Sequence, residues 1–293
     1  MSDGAGMADR PIGVFDSGLG GLTVLREIRK ILPHERVVYF GDCGRAPYGV
    51  KSPETIIRFT YQSIRFFTEM GVKLLVIACN TSSAYACGLV SEALDIPVIE
   101  VIKPGSAAAT RATVNRRIGV VGTAATIESR VYESVINAID PAVKVFSKAC
   151  PLFVPIAEEG PYWWGHESTR IIAREYLRGL CDTGIDSLVL GCTHYPLLGD
   201  AIRLAIGDGI RLISSAQAVA AETRAVLGRL GILRGAADTA DISMGASARA
   251  EVSFYTSDSP EKFEPLCSAI LGETAAARVH RLDIERYDNR PPK

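Results

Sequence analysis

Short apolar runs rich in Val and Ile alternate along this chain with longer segments whose apolar residues recur every three or four positions. The runs predict strands at residues 12–15, 37–40, 74–79, 98–101, 118–121, 143–146, 188–192, 211–213 and 252–255. After the first run, Leu22, Leu25, Ile28 and Leu32 mark one face of a helix. After the second, Ser52-Pro53 reads as an N-cap followed by proline at the first helical position. Strands alternating with helices predict an α/β fold with mostly parallel sheets flanked by helices. Open sheets of that kind place their ligands at the carboxyl ends of the strands, so the polar residues just beyond each run are the first candidates for function.

Two internal resemblances bear on domain organisation. Ile12-Gly13-Val14 with Asp16-Ser17 resembles Ile118-Gly119-Val120 with Gly122-Thr123, an offset of 106 residues. The stretch 74–81, ending Cys79-Asn80-Thr81, resembles 187–194, ending Cys192-Thr193-His194, at an offset of 113. Two related halves would give this pattern, and so would the common look of buried parallel strands. Pro104-Gly105 breaks the pattern and marks a boundary.

Length and composition narrow the class. The 293 residues allow about two domains. Hydrophobic residues at 47% and charged residues at 22% are ordinary for a globular protein, and they exclude disorder and fibrous architecture. With 32 Lys and Arg against 33 Asp and Glu there is no electrostatic case for nucleic acid or an anionic membrane as partner. No apolar run is long enough for a membrane span, and the start lacks a signal peptide's apolar region, so a cytoplasmic protein is expected. The first nine residues read as a disordered extension, or Met7 as the start. Seven scattered cysteines without a CxxC suggest neither a disulfide framework nor a zinc site. His34, His166 and His280 have no metal-ligand spacing, and no metal is expected. The alternating charges near the C-terminus read as solvated surface.

Cys79 and Cys192 each follow an apolar strand and precede a helix, whose N-terminus favours thiolate. A buried cysteine also serves as a small hydrophobe, but two at corresponding positions suit a reaction that removes a proton from one face of a carbon and returns it to the other. Asp16 is placed to orient or activate Cys79, and His194 to do the same for Cys192; a turn or cap role for Asp16 and a structural role for His194 stay open. The glycine-rich turn 16–21 offers backbone amides to a carboxylate or phosphate, but it is not GxGxxG and no GxxxxGK[ST] occurs. In the loop 41–49, Arg45 and Tyr48 are donors suited to a small anion, although Arg45 also fits an ordinary surface position. Tyr162-Trp163-Trp164 reads as core packing, a pocket cover or a subunit contact. No lysine sits in a motif that points to pyridoxal.

Segments 15–21, 41–49, 78–84 and 191–198, supported by 119–123 with Thr126-Ile127 and by 151–160, resemble in order the signature segments of glutamate racemases, in the aspartate/glutamate racemase family. The resemblance runs from about residue 12 to 214, with an echo at 252–272. It implies two pseudo-symmetric α/β domains with the active site in the cleft between them, the first made of 1–101 plus 212–293 and the second of 102–211. It also implies cofactor-independent interconversion of L- and D-glutamate for peptidoglycan synthesis by a homodimeric enzyme. By position, Cys79 acts on D-glutamate and Cys192 on L-glutamate, with Asp16 assisting the first and His194 and Glu158 the second. Asp16, Ser17, Tyr48, Gly49, Asn80, Thr81, Thr193 and His194 match the family's substrate-binding positions.

Two departures from the family pattern stand out here. Cys43 replaces the family's usual Thr and puts a third, oxidation-responsive thiol near the cleft. The stretch 160–166 is longer than usual, which leaves Glu158 and Glu159 in competition for one role. An aspartate racemase is the nearest rival, but its second cysteine is typically followed by Thr-Glu, where this chain has Thr193-His194. A non-catalytic amino-acid-binding module would need the loops without the two thiols, and a thiol hydrolase only one nucleophile.

Overall fold

The computed structural model describes residues 3–235, 250–272 and 279–288. Its strands are β1 (Ile12–Asp16), β2 (Val37–Gly41), β3 (Leu74–Ile77), β4 (Val98–Glu100), β5 (Arg117–Gly122), β6 (Lys144–Ala149), β7 (Ser187–Gly191), β8 (Arg211–Ile213), β9 (Val252–Thr256) and β10 (Val279–Arg281). All strand pairs are parallel, and they form a six-stranded sheet β10-β9-β2-β1-β3-β4 and a four-stranded sheet β6-β5-β7-β8. Strands β1, β2, β3 and β7 are buried along their whole length, which is why they read as unbroken apolar runs. The edge strand β6 exposes Lys144 and Lys148, charges that discourage further strand pairing.

The same order is used twice. In β2-β1-β3-β4 and in β6-β5-β7-β8 the first strand in sequence is central, the second lies on one side of it and the third on the other. Each sheet therefore has a switch point, between β1 and β3 and between β5 and β7, where connections leave in opposite directions and open a crevice. Asp16 and Cys79 lie at the first, Thr123 and Cys192 at the second. We refer to the parts built on the larger and smaller sheets as the first and second lobes.

The inner faces of the two sheets share one core. Ile12 and Val14 on β1, Ile118 and Val120 on β5, and Leu25, Ile102, Ile136 and Val219 on four helices belong to one cluster of buried apolar side chains. Those helices (Leu22–Ile31, Ile102–Ala112, Val131–Ile139 and Ser215–Arg229) form a layer common to both lobes. The outer faces have separate cores, with Phe15, Phe40 and Phe66 on one side and Phe153, Leu190 and Tyr195 on the other. Ser52 caps the helix Pro53–Glu69, its hydroxyl accepting from Thr55 N at 3.3 Å, as the Ser52-Pro53 pair predicts.

Three expectations are corrected and one, for Tyr162-Trp163-Trp164, holds in part. Pro104-Gly105 does not break the chain but lies in the first turn of the helix Ile102–Ala112, where a missing N–H costs no intrahelical bond. The first nine residues include a helix, Asp3–Ala8; Met7 packs on the shared core, and the Ala8 carbonyl accepts from Lys73 Nζ at 2.7 Å. Lys73 is buried, also donates to Ile232 O at 2.9 Å, and pairs with Glu35 at 2.6 Å. In Tyr162-Trp163-Trp164, Tyr162 is exposed, while Trp164 packs on the core and donates to Ala157 O at 2.8 Å. The charged stretch near the C-terminus is interleaved with buried Leu282, Ile284 and Tyr287, which anchor it to the outer core of the first lobe. Among the described residues no helix is long and apolar enough to cross a membrane.

Candidate active site

The first lobe brings three segments to the crevice. At the end of β1 the Asp16 carboxylate is fully buried and accepts from Gly18 N at 3.0 Å. The glycine-rich turn is therefore not an open cradle for a ligand's anion, because it is folded onto Asp16. It is also the seat of the other lobe: a Cβ on Gly20 would overlap the side chains of Thr193 and His194. Thr193 Oγ1 donates to Asp16 at 3.2 Å, and Thr23 Oγ1 donates to the Thr193 carbonyl at 3.0 Å. Burial raises the Asp16 pKa above the usual carboxylate range, opposed by the nearby His194.

Beyond β3, Cys79 is the N-cap of the helix Asn80–Ala93 rather than the last strand residue. Its Sγ accepts from Ser82 N at 3.4 Å and donates to Ser17 Oγ at 3.3 Å. The direct hydrogen-bond partner of Cys79 is thus Ser17, while Asp16 acts on the thiol through its charge. The thiolate-favouring effect expected of the helix N-terminus is outweighed: burial and the charge of Asp16 push the Cys79 thiol up. Asn80 and Thr81 follow as the first helical residues, both buried.

The second lobe supplies a different environment for its thiol. Cys192 follows β7 and precedes a short 3₁₀ turn, Tyr195–Leu198. His194 Nδ1 lies 3.8 Å from Cys192 Sγ, and its Nε2 lies 3.0 Å from Glu158 Oε1. Burial would lower the His194 pKa, but the hydrogen bonds and charges of Cys192 and Glu158 prevail and raise it well above the ordinary imidazole value. Glu158 is the acidic residue in contact with His194, whereas Glu159 is exposed.

All these groups meet around one narrow cavity. Ser17, Tyr48, Gly49, Cys79, Asn80 and Thr81 line it from the first lobe, and Thr123, Val154, Glu158, Cys192, Thr193 and His194 from the second. Asp16 lies behind this wall, joined to it through Thr193. The free space is about 20 Å³, room for roughly one water, so an amino acid enters only if the lobes part. The lobes touch closely at Gly49, where any Cβ would overlap Thr123. Thr123 is absent from the residues singled out in the sequence, although the 106-residue repeat pairs it with Ser17.

The loop before Tyr48 has another purpose than binding an anion. Arg45 Nε donates to Asp42 at 2.7 Å, and its guanidinium lies 4.0 Å over the Phe59 ring and bonds Gln62 and Glu285. Tyr48 also donates its hydroxyl to Asp42, which is wholly buried, so Tyr48 meets the cavity with its hydroxyl already committed. Asp42 lies in the signature segment 41–49, but nothing in the sequence marks it as the group that holds Tyr48 and Arg45. Cys43 lines a neighbouring hollow with Glu158 and Lys262 instead of the cavity, and burial pushes its thiol up to about 12, contrary to an oxidation-responsive role. Among the described residues no group of three His, Cys, Asp or Glu is arranged to hold a metal ion.

Comparison with known proteins agrees with this architecture. The family model for Asp/Glu/hydantoin racemases matches residues 12–223. A glutamate racemase of Geobacter metallireducens is 45% identical over 90% of this chain and 93% of its own. The crystal structure of a glutamate racemase isoform from Bacillus anthracis superposes with a TM-score of 0.84 at 37% identity, covering 94% of this chain and 97% of that one. The glutamate racemase of Francisella tularensis, solved in complex with D-glutamate, gives 0.84 at 35% identity over 96% and 100%. Two parallel sheets that meet at matched switch points, with a thiol at each, define a two-lobed isomerase of amino acids, and the chain belongs to the Asp/Glu/hydantoin racemase family.

Proposed function

We propose that the cavity interconverts L- and D-glutamate by moving the α-proton between Cys79 and Cys192. The observation that carries this reading is the pair of thiols at equivalent strand ends of two similar lobes, both facing one closed cavity. Their surroundings differ in the way two-base chemistry needs. Cys79 is kept as a thiol by burial and by Asp16, and Cys192 sits beside an imidazole held protonated by Glu158. In one direction the Cys192 thiolate takes the α-proton of L-glutamate, and the Cys79 thiol gives its proton to the opposite face. D-glutamate leaves behind a Cys79 thiolate and a Cys192 thiol, from which the reverse reaction starts. Hydroxyl and amide groups of Ser17, Asn80, Thr81 and Thr123 stabilise the charge that spreads onto the substrate carboxylate.

Glutamate rather than aspartate follows from the relatives, which carry glutamate in their names, and the Francisella protein holds D-glutamate. The remaining parts of this reading are a cytoplasmic homodimer, division of the chain at 101/102 and 211/212, no cofactor, and a D-glutamate product destined for peptidoglycan. The test incubates each enantiomer in deuterated water after dialysis against hydroxylamine, following α-proton exchange and optical rotation. Wild type should racemise both, and Cys79→Ser and Cys192→Ser should each lose at least about 100-fold. Full activity in either variant would overturn the mechanism.

A further inference from the structure

Tyr132, on the helix Val131–Ile139 of the second lobe, is buried. Its two ends touch the residues next to the two thiols. The hydroxyl donates to Asn80 Oδ1 at 2.6 Å, and Asn80 directly follows Cys79. The ring lies against Gly191, directly before Cys192, so closely that a Cβ there would come within 3.1 Å of it. With Oδ1 held by the hydroxyl, Nδ2 is the end of the Asn80 amide left for another partner. Its Nδ2, on a side chain only 3% exposed, has no partner among the described residues, and Asn80 lines the cavity. An unsatisfied buried donor is costly unless a ligand completes it.

We infer that Tyr132 is a positioning residue that locks the Asn80 amide with its N–H groups toward the cavity, where they receive the substrate carboxylate. The inference rests on the proposed racemisation. With the amide turned the other way, Oδ1 would face the carboxylate and repel it, so one hydroxyl from the second lobe sets the sign of a binding group in the first. Burial raises the Tyr132 pKa, and the hydroxyl remains a donor throughout the working pH range.

The test measures kcat and KM for both enantiomers, with thermal melts, in wild type, Tyr132→Phe, Asn80→Ala and the double variant. Tyr132→Phe keeps the ring against Gly191 and should raise KM roughly tenfold with a smaller change in kcat. On the Asn80→Ala background it should add less than about twofold, because the amide it orients is gone. Asn80→Asp, which keeps the acceptor for Tyr132 but removes the donor, should raise KM more than Asn80→Ala does, and it serves if Tyr132→Phe does not fold. A Tyr132→Phe enzyme with wild-type KM and only a lower melting temperature, effects that multiply in the double variant, or tight binding by Asn80→Asp would overturn the inference alone. Absence of racemisation in wild type would overturn the underlying reading as well.

Discussion

Glu158 meets His194 Nε2 at 3.0 Å on the side of the ring opposite Cys192, so the imidazole is held between a carboxylate and a thiol. The carboxylate helps keep the ring protonated, and an imidazolium beside Cys192 is the partner a thiolate needs.

Glu158→Gln should therefore lower the His194 pKa and move the basic limb of the kcat/KM profile to lower pH, with a loss of roughly tenfold at pH 8. Because the folded His194 pKa lies above its unfolded value, the stability it contributes is complete below the ordinary imidazole pKa and fades as pH rises through the raised one. Melting curves from pH 5 to 9 should show that fade smaller and complete at a lower pH in the variant. A basic limb unmoved by the substitution would count against the coupling.

Asp16→Asn should trade activity for stability. The native state binds the Asp16 proton more tightly than the unfolded chain, so ionising it at neutral pH costs stability, and the cost shrinks as pH falls through the raised pKa. An amide keeps the shape, accepting from Gly18 N and donating to Thr193 Oγ1. Calorimetry at pH 7 should show a gain of about 1 kcal/mol that disappears toward pH 4, while activity falls at least about tenfold. A variant less stable than wild type at pH 7 would contradict this.

Lys73→Met should destabilise without touching the chemistry. It leaves Glu35 buried without its ion pair and removes the donor shared by the Ala8 and Ile232 carbonyls. Urea titration should give a loss of about 3–5 kcal/mol, most of it recovered when Glu35→Leu is added. Activity per folded molecule should stay at the wild-type level.

Cys43, with its thiol pushed up to about 12, should resist alkylation. At pH 8 iodoacetamide should label it at least about 100-fold more slowly in the native protein than in urea, as read by mass spectrometry. Labelling at equal rates would show that the site opens readily.

How far the sequence speaks for itself depends on burial. Nine strands are legible by their apolar runs, most plainly β1, β2, β3, β5 and β7, which are buried almost throughout, and least so the part-exposed β6. β10 is not, since it is three residues long with His280 and Arg281 exposed at the sheet edge. The two thiols and their neighbours stand out by repetition, and the same repetition sets Thr123 in the place of Ser17 in the second lobe. Tyr132 leaves no local pattern, and for Asp42 the segment 41–49 marks the place but not the role. Their roles depend on side chains that meet across the fold: Tyr48, Arg45 and Ser257 for Asp42, and Asn80 for Tyr132.

The repeated strand order has a stereochemical consequence. A chain of L-residues contains no mirror plane, so it cannot present mirror-image surroundings to the two enantiomers of a substrate. Rotation is the operation available to it, and two copies of one strand order facing each other across a cleft bring like groups to opposite sides of that cleft. On that view handedness is inverted by a pair of same-handed lobes, and their unequal polar surroundings remain as the trace of a symmetry that could never be a reflection.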